Sequence, residues 1–212
     1  MAALDSHEQE QLEALKAWWY ENRGQILVML LIAFAAIGGW RGWQYYHKTQ
    51  ANDAAVLYQQ LINQTESSDG KRVNDAASVL MEAYPSTAYA PRAALLAAQT
   101  NEKNKDAARA KAQLQWAIDH TEDDALKSVA RLRLASMLLD EKNHDGALKL
   151  LEAPHPPSFD GLFADLRGDI LSAQGKTEEA KSAYKLAYEK IDNKSTFRNL
   201  IQIKLDALGA AK

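Results

Sequence analysis

The sequence predicts an all-α fold in which one membrane-spanning helix is followed by a solenoid of paired helices. Three observations lead there. Seventeen residues from Gly24 to Trp40 carry no charge, and each side is bordered by an arginine and a group of aromatic residues. The chain beyond them is rich in Ala, Leu, Gln, Lys and Glu, with apolar residues at helical spacing almost throughout. Within that region, small residues recur at a regular interval.

The span runs from Ile26 to about Tyr46. At 1.5 Å per residue the uncharged run makes roughly 25 Å of helix, slightly short of the roughly 30 Å hydrocarbon core. The flanks supply the difference. Trp18, Trp19 and Tyr20 stand before it and Trp40, Trp43, Tyr45 and Tyr46 after it, where amphipathic rings settle at headgroup level. Arg41 can snorkel its guanidinium to the same interface. Four of the five tryptophans fall in these belts, which assigns them to anchoring.

A secretory signal peptide fits poorly. The first 23 residues hold Asp5, Glu8, Glu10, Glu13 and Glu21 against Lys16 and Arg23, and the cleavage-like Ala33-Phe34-Ala35 lies in the middle of the apolar run. A buried helix of a soluble protein rarely needs aromatic belts at both ends. Orientation stays open on charge alone, because Lys16 and Arg23 on one flank balance Arg41 and Lys48 on the other. Ahead of the span, Ser6 and Gln9 have capping-box spacing for a helix with Leu12, Leu15, Trp18 and Trp19 along one side. That stretch reads as an interfacial extension resting on membrane lipid.

Three segments follow: 1–23, 24–46 and 47–212. The last is long enough for one domain with a sizeable core. A net charge of −3 gives neither a nucleic-acid footprint nor a polybasic membrane patch. The chain has no cysteine, so disulfides and thiolate chemistry are excluded.

Turn formers and N-caps divide the last segment at Ser67-Ser68-Asp69-Gly70, Tyr84 to Thr87, Asn104-Lys105-Asp106, Thr121 to Asp124, Asn143-His144-Asp145, Pro154 to Ser158, Gln174-Gly175-Lys176 and Asp192 to Ser195. About nine short helices remain between them. Ala98, Ala110 and Leu114 stand at offsets 0, 12 and 16, as do Ala135, Ala147 and Leu151, and Gly168, Ala180 and Tyr184. Leu138 and Leu171 match at offset 3, where the first set has Asn101. Small residues on successive antiparallel helices let their backbones cross closely, and the large residue one turn later fills the space against the next hairpin. The spacing is that of the tetratricopeptide repeat (TPR). A degenerate earlier unit is expected at Ala76, Leu80 and Ala83, with its first helix around Ala54 to Asn63 continuing from the anchor. Thr196 to Leu208, carrying Phe197, Leu200, Ile201, Leu205 and Leu208, suits a capping helix. The expected architecture is a TPR-like solenoid of about four hairpins and a cap.

No catalytic constellation is found. His7, His47, His120, His144 and His155 are scattered, without ligand spacing or accompanying carboxylates, so no metal or cofactor is expected. Glu122-Asp123-Asp124 precedes a helix start near Ala125 and is read as a cap. Gly38, Gly39 and Gly42 lie inside the apolar helix, which excludes a phosphate loop. With Ala35 they form a stripe of small residues, a candidate packing face for another membrane helix.

Taken in order, Glu13 to Gly24 (EALKAWWYENRG), Gly38 to Trp43 (GGWRGW), Leu126 to Ala135 (LKSVARLRLA) and Ala164 to Asp169 (ADLRGD) make the chain resemble the YfgM family, the ancillary subunit of the SecYEG translocon of Gram-negative bacteria. The resemblance implies a cytoplasmic N-terminus, one inner-membrane span and a periplasmic repeat domain. It further implies association with the SecYEG translocon and with periplasmic chaperones, and a part in passing emerging, unfolded secretory polypeptides between them.

The expected function is therefore a non-enzymatic, membrane-tethered adaptor. In the usual repeat geometry the inner wall comes from the first helix of each hairpin, which places Leu95, Gln99, Leu132, Ser136, Leu139, Asp165, Asp169 and Ser172 there as candidate protein-binding residues. A scaffold for envelope or outer-membrane assembly is the alternative in the same class. An envelope hydrolase is the alternative in another, without a nucleophile and base to support it.

Overall fold

A computed structural model describes residues 6–65 and 70–210, and all its regular structure there is helical. The helices are α1 (Ser6–Thr65), α2 (Gly70–Ala83), α3 (Tyr89–Lys103), α4 (Ala107–His120), α5 (Asp124–Asp140), α6 (His144–Leu151), α7 (Asp160–Ala173), α8 (Thr177–Lys190) and α9 (Phe197–Ala210). A 3₁₀ turn at Pro157–Phe159 leads into α7. The chain divides into two compact units, Met1–Thr49 and Gln50–Lys212.

In the first unit the helix is unbroken at Arg23 and at Tyr46, so neither position is an end of helix. Phe34, Leu31, Met29 and Ile32 are 71%, 68%, 66% and 64% exposed, far more apolar surface in one band than a water-soluble protein leaves open. Among the described residues this is the one helix long and apolar enough to cross a membrane. The side chain of Ser6, and with it the expected capping box, lies outside the described residues.

In the second unit the expected breaks separate the helices. Asp106, Asp123 and Asn143 are N-caps: Asp106 accepts from the Arg109 amide, Asp123 from the Ala125 and Leu126 amides, and Asn143 from the Gly146 amide. Each supplies an acceptor to a helix start that otherwise leaves amides unpaired. Glu122-Asp123-Asp124 thus contributes a cap, as its position suggested. Of the break before α2, residues 66–69 lie outside the described residues.

Apolar side chains gather in four successive clusters instead of one central core. They join the end of α1 with α2 and α3, then α3 with α4 and α5, then α5 with α6 and α7, and finally α7 with α8 and α9. First helices also touch directly, α3 against α5 and α5 against α7. Neighbour-to-neighbour packing of this kind defines a solenoid. All nine repeat-defining residues are buried, from Ala98, Ala110 and Leu114 to Gly168, Ala180 and Tyr184.

The first hairpin differs from expectation by three residues. Val73, Ala77 and Leu80 are fully buried, whereas Ala76 is half-buried and Ala83 is exposed. Val73 stands 37 residues before Ala110, the same interval that separates Ala110 from Ala147, so the degenerate unit keeps the period of its neighbours. The β-branched Val73 fills a place held by alanine in the next three hairpins, which hid the register.

Turns inside the last three hairpins share one geometry. Lys105, Lys142 and Gly175 have φ of 62°, 61° and 75°, and each stands seven residues after the small residue of its first helix. The following amides of Asp106, Asn143 and Lys176 reach back to the carbonyls of Asn101, Leu138 and Leu171 at 2.8, 2.8 and 2.9 Å. This is the Schellman ending, which satisfies free carbonyls and reverses the chain.

Candidate functional site

The residues expected on the inner wall separate into three groups. Leu95 is 9% exposed within the α3–α4–α5 cluster, and Leu132 and Leu139 pack against the cluster that holds Phe163 and Ile170. These apolar residues build the solenoid. Gln99 and Ser172 are half-buried, and Ser136 is exposed. Ser136 opens onto a hollow of about 290 Å³ that it shares with the charged residues Glu102, Arg133 and Asp140 and with Met137. Arg133 is held in place by donating to the Leu95 carbonyl at 3.3 Å.

Asp165 and Asp169 form the third group, and both are occupied by the cap. Lys204 on α9 places its ammonium 2.8 Å from Asp165 Oδ1 and 2.7 Å from Asp169 Oδ1. The Tyr184 hydroxyl donates to Asp169 Oδ1 at 2.7 Å. Burial pulls the Lys204 ammonium down, but hydrogen bonds to Asp165 and Asp169 outweigh it and hold its pKa above the ordinary lysine value. Burial, aided by the bond to Asp169, pushes the Tyr184 phenol well above the ordinary tyrosine range. Burial also raises Asp165, because one shared cation offsets only part of its desolvation and of its repulsion from Asp169. Nearby, Arg198 donates to the Tyr188 carbonyl at 2.8 Å and lies 3.7 Å above the Tyr188 ring. Lysine, carboxylates and phenol are therefore spent on fastening α9.

Gly168 explains how Tyr184 gets in. A Cβ at Gly168 would sit 2.5 Å from the Tyr184 ring, so only glycine lets that ring lie across α7. On the apolar part of α1 the reverse holds. Ala35 is exposed, and Cβ atoms at Gly38, Gly39 and Gly42 would meet nothing within 4 Å, so no packing among the described residues requires these glycines. The aromatic flank is ordered by ring contacts, Trp40 to Trp43 at 5.6 Å and Trp43 to His47 at 4.3 Å. Among the described residues no three His, Cys, Asp or Glu side chains gather where a metal could be held.

Residues 16–210 match the family model for the tetratricopeptide repeat-like domain. An ancillary SecYEG translocon subunit of Aggregatibacter actinomycetemcomitans is 33% identical over 97% of this chain and 100% of its own length. One from Escherichia coli K12 is 32% identical over 95% of this chain and 97% of its own, and one from Neisseria gonorrhoeae is 29% identical over 97% and 99%. The chain belongs to the ancillary SecYEG translocon subunit family. No solved structure gives a significant match.

Sequence reasoning about this ancillary-subunit family member passed over Lys204 and the amide partners of Asn101. Lys204 follows Ile201 by three residues and stands beside Leu205, and a cation among the apolar residues Ile201, Leu205 and Leu208 was the available signal. Asn101, standing where the later repeats have leucine, was the other: a polar residue at a core position demands partners. Asn74 and Gln113 provide them.

Proposed function

We propose that this chain is a non-enzymatic adaptor of the SecYEG translocon, held in the bacterial inner membrane by the apolar part of α1. In this reading residues 1–23 are cytoplasmic, 24–46 cross the bilayer, and 47–212 work in the periplasm, linking secreted polypeptides to chaperones. One observation carries it: the likeness to relatives named as ancillary SecYEG translocon subunits runs over nearly the whole length of both chains. The uncovered apolar helix and the helical-repeat unit support it, since a tether raises effective concentration and lets weak contacts suffice.

Photo-crosslinkers at Ala35 and at Ser136 test the reading in intact cells. Ala35 is expected to capture translocon subunits, and Ser136 a periplasmic chaperone or a secreted polypeptide. Capture of cell-wall or outer-membrane machinery at both positions would sink it. Orientation is checked separately on the cysteine-free background. In spheroplasts an impermeant thiol reagent should modify Glu122→Cys and spare Gln9→Cys. For the wall, Gln99→Ala with Ser136→Ala should weaken capture without changing the melting temperature. Asp169 is left out because its replacement would release Lys204.

A further inference from the structure

A small pocket of about 180 Å³ opens between α6, α7 and α8. Its floor is apolar, made by Leu151, Phe163, Ala164 and Ala183, and Leu186 stands at the mouth, 46% exposed. The rim is charged, with Asp160, Arg167 and Lys190 around it. Asp160 is already engaged, 3.4 Å from His155 Nε2 and 3.5 Å from Lys190 Nζ. Arg167 is exposed and has no partner for its guanidinium among the described residues. The rim therefore carries an excess of positive charge beside an apolar hole.

The wall is set before any ligand arrives. His155 stacks on Phe163 with ring centroids 3.9 Å apart and 17° between planes. Its Nδ1 lies 3.1 Å from the Ala153 carbonyl, and Arg131 donates to the Pro154 carbonyl at 2.9 Å. Pro154, Pro156 and Pro157 restrict the backbone on both sides of His155, and Pro156 is extended at φ −61°, ψ 145°. Little ordering is left for binding to impose.

We propose that this pocket receives one large apolar side chain of an extended peptide, with an adjacent carboxylate of that peptide paired to Arg167 and Lys190. The volume decides for a peptide over a lipid. It is below the roughly 300 Å³ at which small-molecule sites begin, enough for a side chain and too little for an acyl tail. Charge complementarity at the rim selects an acidic neighbour over a basic one. The site goes beyond the adaptor reading and shares no residue with the inner wall.

The test uses the full-length protein in detergent micelles and a fluorescein-labelled octapeptide holding one Phe-Glu pair in a Gly/Ser background. Fluorescence anisotropy should rise saturably, with Kd on the order of 100 µM. A Phe-Lys peptide and an Ala-Glu peptide should each bind about tenfold more weakly. Arg167→Glu and Leu186→Asp, both at exposed positions, should weaken the Phe-Glu peptide to a similar degree while circular dichroism stays unchanged. Absence of saturable binding would overturn the proposal, as would equal affinity for the three peptides or indifference to both substitutions. Displacement by anionic phospholipid vesicles, with no dependence on peptide sequence, would assign the pocket to lipid and overturn it too.

Discussion

Asn74 on α2 and Asn101 on α3 exchange amide hydrogen bonds, each 2.8 Å long. Gln113 on α4 closes the set, accepting from Asn101 and donating to Asn74, again at 2.8 Å. Asn101 is 2% exposed and occupies the place that Leu138 and Leu171 hold in the following repeats. Three amides thus fix the register of three helices where the later hairpins rely on apolar contact. A satisfied buried network of this kind specifies one arrangement, since any slip leaves a polar group unpaired.

Asn101→Leu, which restores the repeat's apolar residue, is therefore expected to destabilise rather than stabilise. Asn74 and Gln113 would lose their shared partner and face an alkyl group, a loss of about 1–3 kcal/mol. Replacing all three amides by leucine should recover part of it. Thermal melting of the parent chain and these two variants by circular dichroism measures both effects, and a stabilised Asn101→Leu variant would show the triad to be incidental.

The cap should loosen at alkaline pH. Lys204 and Tyr184 both hold their protons more tightly in the folded chain than their ordinary values of 10.5 and 10.0 allow. Their contribution is complete below about pH 10 and declines as pH rises through the raised values, because the unfolded chain then binds fewer protons than the folded one. Melting temperature should fall between about pH 10 and pH 12. Lys204→Met should lower stability at neutral pH and flatten that decline; an unchanged alkaline limb would detach the cap from these two groups.

What could be read from the sequence follows from which signals are local. Caps and turns such as Asp123 and Asn143 announce themselves within four residues, so nearly every helix end was legible. Ala98, Ala135 and Gly168 repeat, so the hairpin pairing was legible as well. Contacts across helices were not. Nothing near Asp165 or Asp169 in the chain signals that Lys204, some 35 to 39 residues on, engages both carboxylates. Nor did Lys105 and Lys142 signal their left-handed turns, since lysine carries no preference for positive φ.

Glycine has opposite roles in the two units, and alanine substitution should separate them. Gly168→Ala drives a methyl into the Tyr184 ring, which must leave and give up its bond to Asp169. A loss of about 2–3 kcal/mol is expected, as for an overpacked core. Gly38→Ala and Gly39→Ala meet nothing within 4 Å among the described residues and should leave melting unchanged. If they nonetheless reduce crosslinking from Ala35, the stripe is a contact face for another membrane helix.

Lys142→Gly is expected to stabilise the protein. Lys142 adopts φ 61° at the Schellman turn between α5 and α6, where the equivalent residue of the last hairpin is Gly175. A side chain there sets Cβ against the neighbouring carbonyl at a strain of about 1 kcal/mol, which glycine removes. Glycine also loosens the unfolded chain, so the net gain should be about 0.5 kcal/mol. Lys105→Gly, at φ 62°, should gain as much, and the two should add because separate hairpins hold them. Urea unfolding of the single and double variants reads this directly. A loss of stability in both would mean that the lysine side chains make contacts that outweigh their backbone strain.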